Sequence, residues 1–99
     1  MYILNDEFEW DPIKAQANFV KHGVSFEEAA GAFSDPDGLD GPDERHSGAE
    51  ARFLRLGQSS IRRVLMVAYT LRRWGDGETI RIISARKASR KERSAYGGK

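Results

Sequence analysis

Cysteine is absent from the 99 residues. That excludes disulfides, thiolate nucleophiles and cysteine metal sites, and a reducing compartment suffices. Histidine is nearly absent as well: His22 and His46 are the only two, and no H-E-x-x-H occurs, so zinc-type hydrolysis has no obvious ligand set. No serine–histidine–aspartate constellation stands out, and no internal repeat is present. Nor does any apolar run approach the roughly 18 residues that a membrane span requires. The opening MYILNDEFEW is acidic where a secretory signal would be basic. The expectation is a cytoplasmic protein that needs no cofactor and does not associate with membranes.

What is present suits one domain over residues 1–99. At 39% hydrophobic and 31% charged the composition is globular rather than disordered. The formal net charge of +1 conceals a strong polarity. Residues 1–50 hold three basic residues (Lys14, Lys21, Arg45) against 12 acidic ones; residues 51–99 hold 13 against three (Asp76, Glu78, Glu92). A basic half gathered on one face would attract a polyanion. The two halves can equally neutralise each other across the fold.

Met1–Trp10 reads as a first strand that Asn5-Asp6 can interrupt. Asp11 caps a helix with Pro12 at its first position, running to about His22, where Gly23 offers a left-handed end. Its buried stripe is expected at Ala15, Phe19 and Val20. His22 carries an imidazole, the side chain most used for proton transfer, which invites a catalytic reading. As a basic residue in the last turn, opposite the negative end of the dipole, it is first of all structural. Ser25 and Glu28 have capping-box spacing ahead of a second helix, Phe26 to Ser34. These helices should pack on a sheet through Phe19 and Phe33.

Asp35–Glu50 (DPDGLDGPDERHSGAE) has no hydrophobic periodicity and reads as a long loop, mobile or functional. Its carboxylates do not have EF-hand spacing, so no metal site is expected. His46 stands alone among them and reads as solvated. Strands follow at Arg52–Leu56, Arg63–Arg72 and Thr79–Ala85, the last two joined by a turn at Trp74-Gly75-Asp76-Gly77. Ser89 and Glu92 form another capping box, opening a helix that Tyr96-Gly97-Gly98-Lys99 should fray. Arg86 thus lies between a strand end and a helix N-terminus, a plausible phosphate site; a solvated cation is the plainer reading. The order β-α-α-β-β-β-α makes a small α+β domain, a mixed or antiparallel sheet with two N-terminal helices on one face and a short C-terminal helix.

These residues resemble the BrnT family of bacterial toxins, within the RelE-like ribonuclease superfamily. The resemblance rests on Phe8-Glu9-Trp10-Asp11, Lys14, Asn18, Lys21-His22-Gly23-Val24 and Phe26-Glu27-Glu28-Ala29. Further on it rests on Arg52-Phe53, Gly57, Tyr69-Thr70 with Arg72, Arg81-Ile82-Ile83-Ser84-Ala85-Arg86, Ala88, Glu92-Arg93 and Tyr96. It implies a toxin that cleaves RNA and halts translation. A small antitoxin, BrnA, holds such toxins inactive; it binds operator DNA, so DNA is contacted only through the antitoxin. The acidic loop and the early Gly97-Gly98 depart from the family pattern.

RNA can be cleaved without metal if its own 2′-OH attacks the adjacent phosphate, provided the protein stabilises the charge and moves two protons. Arg86 and Arg72 are candidates to hold phosphate, because a guanidinium donates two parallel hydrogen bonds. Glu92 is a candidate base, although its capping-box role is a direct rival, and Tyr96 or His22 can share in proton transfer. Arg52, Arg81, Arg90, Tyr96 and His22 are candidate RNA contacts. Arg72 and Arg86 should lie about one strand length apart, roughly 17–20 Å. The alternative is a non-catalytic module that uses the basic half to bind nucleic acid or a partner protein.

Overall fold

The structure is a computed structural model that describes residues 3–4, 7–46, 48, 50–74 and 77–97. Among these residues six strands form one sheet, β1 (Ile3–Leu4), β2 (Phe8–Trp10), β3 (Leu39–Pro42), β4 (Phe53–Gln58), β5 (Val64–Trp74) and β6 (Gly77–Lys87), in the order β1-β2-β6-β5-β4-β3. All neighbours are antiparallel except β2 and β6, which run parallel. Helices α1 (Pro12–His22) and α2 (Phe26–Gly31), the latter extended by a 3-10 turn at Ala32–Ser34, follow β2; α3 (Arg90–Gly97) follows β6.

Several elements differ from the sequence reading. The single N-terminal strand is a hairpin, Ile3 facing Trp10 and Leu4 facing Glu9; Tyr2, Asn5 and Asp6 lie outside the described residues. The acidic loop contains a strand, because Leu39–Pro42 finds a partner in β4 that no local pattern announces. Strand β6 continues through Lys87, so Arg86 sits within it and not after it. Helix α3 includes Tyr96 and Gly97, held by the Tyr96 hydroxyl donating to Asp35 Oδ2 at 2.5 Å. Residues 75 and 76 of the expected turn lie outside the described residues, but Trp74 and Gly77 pair as its last rung.

Local caps explain where the helices start. Asp11 Oδ1 accepts from the Ile13 N–H at 2.9 Å, and Gly23 ends α1 at φ 71° with its N–H on the Phe19 carbonyl. At α2 the box is half closed. Ser25 Oγ accepts from the Glu28 N–H, while the Glu28 carboxylate turns away to Arg63 and Ser59. Arg63 donates to both Glu28 oxygens and to the Gly23 carbonyl, and lowers the Glu28 pKa. At α3 the box is reciprocal: Ser89 Oγ accepts from the Glu92 N–H and Glu92 Oε1 from the Ser89 N–H.

The core lies between α2 and the sheet. Val24, Phe26, Ala29 and Ala32 pack on Leu65, Val67, Ile82 and Ala85. Phe8 and Trp10 add edge-to-face contacts with Phe33 and Phe26, and Phe33 meets Tyr69 at 5.0 Å. Phe33 packs as expected, half buried. Phe19 does not: it is 56% exposed and Val20 79% exposed, and Asn18 is the buried residue of α1. The helix has turned its polar amide inward because the neighbouring backbone needs it.

That backbone belongs to β6. Strand β2 pairs with β6 only at Ile80 and Arg81 among the described residues. Farther along, Asn18 takes the place of a strand. Its Nδ2 donates to the Ala85 and Val24 carbonyls at 2.8 and 3.0 Å, and its Oδ1 accepts from the Ala85 N–H at 3.1 Å. One amide thus satisfies three buried backbone groups.

Register decides which side chains face outward. On β6, Ser84 pairs with Ala68 and Ile82 with Tyr69, so Ile83 is an extra residue, a β-bulge. Strict alternation would put Ile82, Ser84 and Arg86 on one face. The bulge shifts the phase by one. Ile82 and Ala85 therefore both enter the core, while Ser84 and Arg86 face the opposite side beside Ala68 and Met66.

Candidate active site

The face opposite α1 and α2 carries a cavity of about 550 Å³. Its floor is the sheet: Leu54 from β4, Met66 and Ala68 from β5, and Ser84 and Arg86 from β6. Glu92 closes it from the first turn of α3, and His22 lines it from the last turn of α1. Arg52, just ahead of β4, completes one wall. The fourth contribution comes from the acidic segment. Pairing of β3 with β4 continues past Pro42 through an Asp43 N–H to Arg52 carbonyl bond of 2.8 Å, and the following turn brings Asp43, Arg45 and His46 to the rim.

Arg86 and Glu92 form a two-point ion pair, Nη1 to Oε1 at 2.8 Å and Nη2 to Oε2 at 2.9 Å. The guanidinium pulls the Glu92 pKa down to about 2, with the Ser89 N–H adding to the effect and desolvation opposing it. Both Glu92 oxygens are engaged and the carboxylate is ionised throughout the physiological range. Arg86 is in turn held more firmly protonated by Glu92. Its side chain remains 44% exposed and so accessible from the cavity.

The second pair is Asp43 and His46. The imidazole Nδ1 lies 3.2 Å from both Asp43 oxygens; the carboxylate is buried and the imidazole is 62% exposed. His46 is therefore not a lone solvated residue. Its partner three positions earlier was visible as D-x-x-H in the sequence, but only the β3–β4 pairing shows where that pair points. Asp43, Arg45 and His46 are the residues the sequence reading missed at this cavity.

Of the sequence candidates, the fold gathers Arg86, Glu92, Arg52 and His22 at one cavity. Four others lie elsewhere. Arg72 does not join the site: it faces Thr79, seven positions along β6 from Arg86, and its Nε lies 2.9 Å from Glu50 Oε2 at an angle too poor for a hydrogen bond. The separation of the two arginines by about a strand length is as expected. Arg81 pairs with the buried Glu9 at 3.2 Å on the strand beside it. Arg90 is exposed at the start of α3, and the Tyr96 hydroxyl is committed to Asp35, which raises its pKa to about 12.

The charge polarity is in part neutralised across the fold. Glu9–Arg81, Glu28–Arg63, Asp40–Arg55 and Glu50–Arg72 join the acidic half to the basic half. The cavity lining brings Arg45, Arg52 and Arg86 together beside Asp43 and Glu92. Among the described residues no group of three or more histidine or carboxylate side chains is arranged to hold a metal ion, and no helix is long and apolar enough to cross a membrane.

Comparison with known proteins now adds to the geometry. A family model described as "Ribonuclease toxin, BrnT, of type II toxin-antitoxin system" matches residues 10–92. The crystal structure of the Brucella abortus ribonuclease toxin BrnT is similar to this chain with a TM-score of 0.59 and 25% sequence identity, over 82% of this chain and 94% of that one. No curated protein sequence matches the chain significantly. The matched segment spans α1, α2, the Asp43–His46 turn and every strand of the cavity floor, and on that match the chain belongs to the BrnT family of ribonuclease toxins of type II toxin–antitoxin systems.

Proposed function

We propose that this protein cleaves RNA without a metal ion, by promoting attack of a ribose 2′-OH on the adjacent phosphate, and that it thereby halts translation. The observation that carries this reading is the convergence of Arg45, Arg52 and Arg86 on one cavity. A pentacoordinate phosphorane carries more charge on its equatorial oxygens than the diester does, and fixed guanidinium groups stabilise that increase. Arg86 is the strongest candidate for the scissile phosphate, since its fork can rotate between Glu92 and two phosphate oxygens. Glu92 then acts as a positioning residue that holds Arg86 before RNA arrives. Arg45 and Arg52 fit neighbouring phosphates along the strand.

A type II toxin implies an antitoxin partner. We take it to be a BrnA-like DNA-binding protein that covers the mouth of this cavity, so that antitoxin and RNA compete and operator DNA is reached only through the antitoxin. The basic rim suits an acidic segment of that partner.

The test uses the purified protein and RNA in the presence of a chelator. Cleavage should persist and leave 2′,3′-cyclic phosphate ends. Arg86→Ala should lower the rate about 10²–10³-fold, the usual effect of losing one charge-stabilising donor, while the melting temperature falls by no more than the roughly 4–8 °C that loss of the Glu92 pair accounts for. Expression of the wild type alone should arrest growth. An Arg86→Ala protein that melts normally and cleaves at the wild-type rate would refute the assignment; RNA binding with no cleavage would favour the binding-module alternative.

A further inference from the structure

Cleavage of the proposed kind needs a base for the 2′-OH and an acid for the leaving oxygen, and the cavity has few groups able to serve. Glu92 is unsuited to either role, being ionised down to about pH 2 with both oxygens occupied. Arginines do not release protons. Tyr96 is bound to Asp35 and stands outside the cavity lining. Asp43 is buried with both oxygens against His46 Nδ1, and what remains is a pair of imidazoles. The chain has two histidines, 24 positions apart, and both line this one cavity with Arg86.

Resting on the RNA-cleavage reading above, we propose that His46, oriented by Asp43, is the general base and His22 the general acid. Asp43 engages Nδ1 through both oxygens, which fixes the tautomer that leaves Nε2 as acceptor and stabilises the imidazolium once formed. In the step, His46 Nε2 takes the 2′-OH proton as O2′ bonds to phosphorus. The phosphorus–O5′ bond breaks, and O5′ takes its proton from protonated His22. The products are a 2′,3′-cyclic phosphate and a 5′-OH; His46 ends protonated and His22 neutral, and exchange with water restores both. Arg86 remains charged throughout.

The experiment compares an oligoribonucleotide with the same oligonucleotide carrying sulfur in place of O5′ at its linkages. A thiolate leaves without an acid. His46→Ala should therefore lose about 10²–10⁴-fold on both substrates, the usual range for one proton-transfer group. His22→Ala should lose as much on the oxygen substrate and recover to near wild type on the sulfur one. Asp43→Asn should fall between His46→Ala and wild type. Each variant is to be checked by thermal melt; His46 is mostly exposed, so its loss should leave folding intact. Wild-type rates in His46→Ala with Arg86→Ala inactive would overturn the dyad while leaving the RNA reading in place. Failure of sulfur to rescue His22→Ala would overturn its role as acid. A wild type that cleaves neither substrate would overturn both this inference and the function on which it rests.

Discussion

Replacing Asn18 by alanine removes the amide that completes the β6 edge. Three hydrogen bonds disappear, to the Ala85 N–H, the Ala85 carbonyl and the Val24 carbonyl, at a residue only 8% exposed. A buried backbone group left without a partner costs about 1–3 kcal/mol. Water entering the space left by the side chain would recover part of that for the carbonyls, so a total of about 3 kcal/mol is expected. For a domain of this size each kcal/mol lowers the melting temperature by roughly 4–8 °C, which puts the shift for Asn18→Ala at about 15 °C. Asn18→Asp sharpens the test. The carboxylate keeps the contact with the Ala85 N–H but turns an oxygen toward two carbonyls that Nδ2 now serves. The folded-state pKa of that aspartate should rise above its unfolded value of about 3.9. Its stability is then greatest below pH 4 and is lost as pH rises through the folded pKa. At pH 7 Asn18→Asp should be less stable than Asn18→Ala, and the order should narrow or reverse near pH 4. Urea denaturation followed by circular dichroism at both pH values measures this. Asn18→Ala within 0.5 kcal/mol of wild type, or Asn18→Asp the more stable variant at pH 7, would refute the reasoning.

Other outcomes follow from particular contacts. Phe33→Ala should cost about 2–3 kcal/mol, below the range for a fully buried phenylalanine because Phe33 is only partly buried, through lost contacts with Phe8, Tyr69 and the Arg55 guanidinium; Phe19→Ala should stay within about 0.5 kcal/mol in the same chemical melt. A Cβ on Gly57 would lie 2.7 Å from the Ala32 carbonyl oxygen, so Gly57→Ala should destabilise by about 1–3 kcal/mol as α2 and β4 are forced apart. Glu92 has a depressed pKa, so the Arg86–Glu92 pair stabilises above pH 4.5 and is lost as pH falls toward 2; Glu92→Gln should flatten that limb of the stability profile by on the order of 1 kcal/mol, a figure reduced for solvent screening of the half-exposed Arg86.

Much of the chain was legible before any fold was known. Asp11 with Pro12, Ser25 with Glu28 and Ser89 with Glu92 set the helix starts, because a cap is a contact between residues two or three positions apart. The apolar run of β5 and the last-turn position of His22 follow from the same short-range rules. Family residues named at Asn18 and Gly57 were visible as letters, but their reasons were not: one replaces a strand and the other lets a helix carbonyl approach.

The candidate site, by contrast, was read in fragments. Arg86, Glu92, Arg52 and His22 were named together with Arg72, which strand length already set apart from Arg86 and which the register places beside Glu50. His46 looked solvated because nothing in the acidic segment predicts β3, and β3 is what carries the Asp43–His46 turn to the cavity. The outward face of Ser84 and Arg86 depends on one extra residue, Ile83, which has no partner in the register with β5. Caps and hydrophobic periods are settled within a few residues, so the sequence by itself determined the helices, the central strands and the chemical types available. The convergence of two histidines and three arginines on one cavity depends on strand register, a bulge and a side-chain amide at a sheet edge. Those are pairings between residues up to 72 positions apart, and only the tertiary structure decides among the many such pairings the same local pattern would permit.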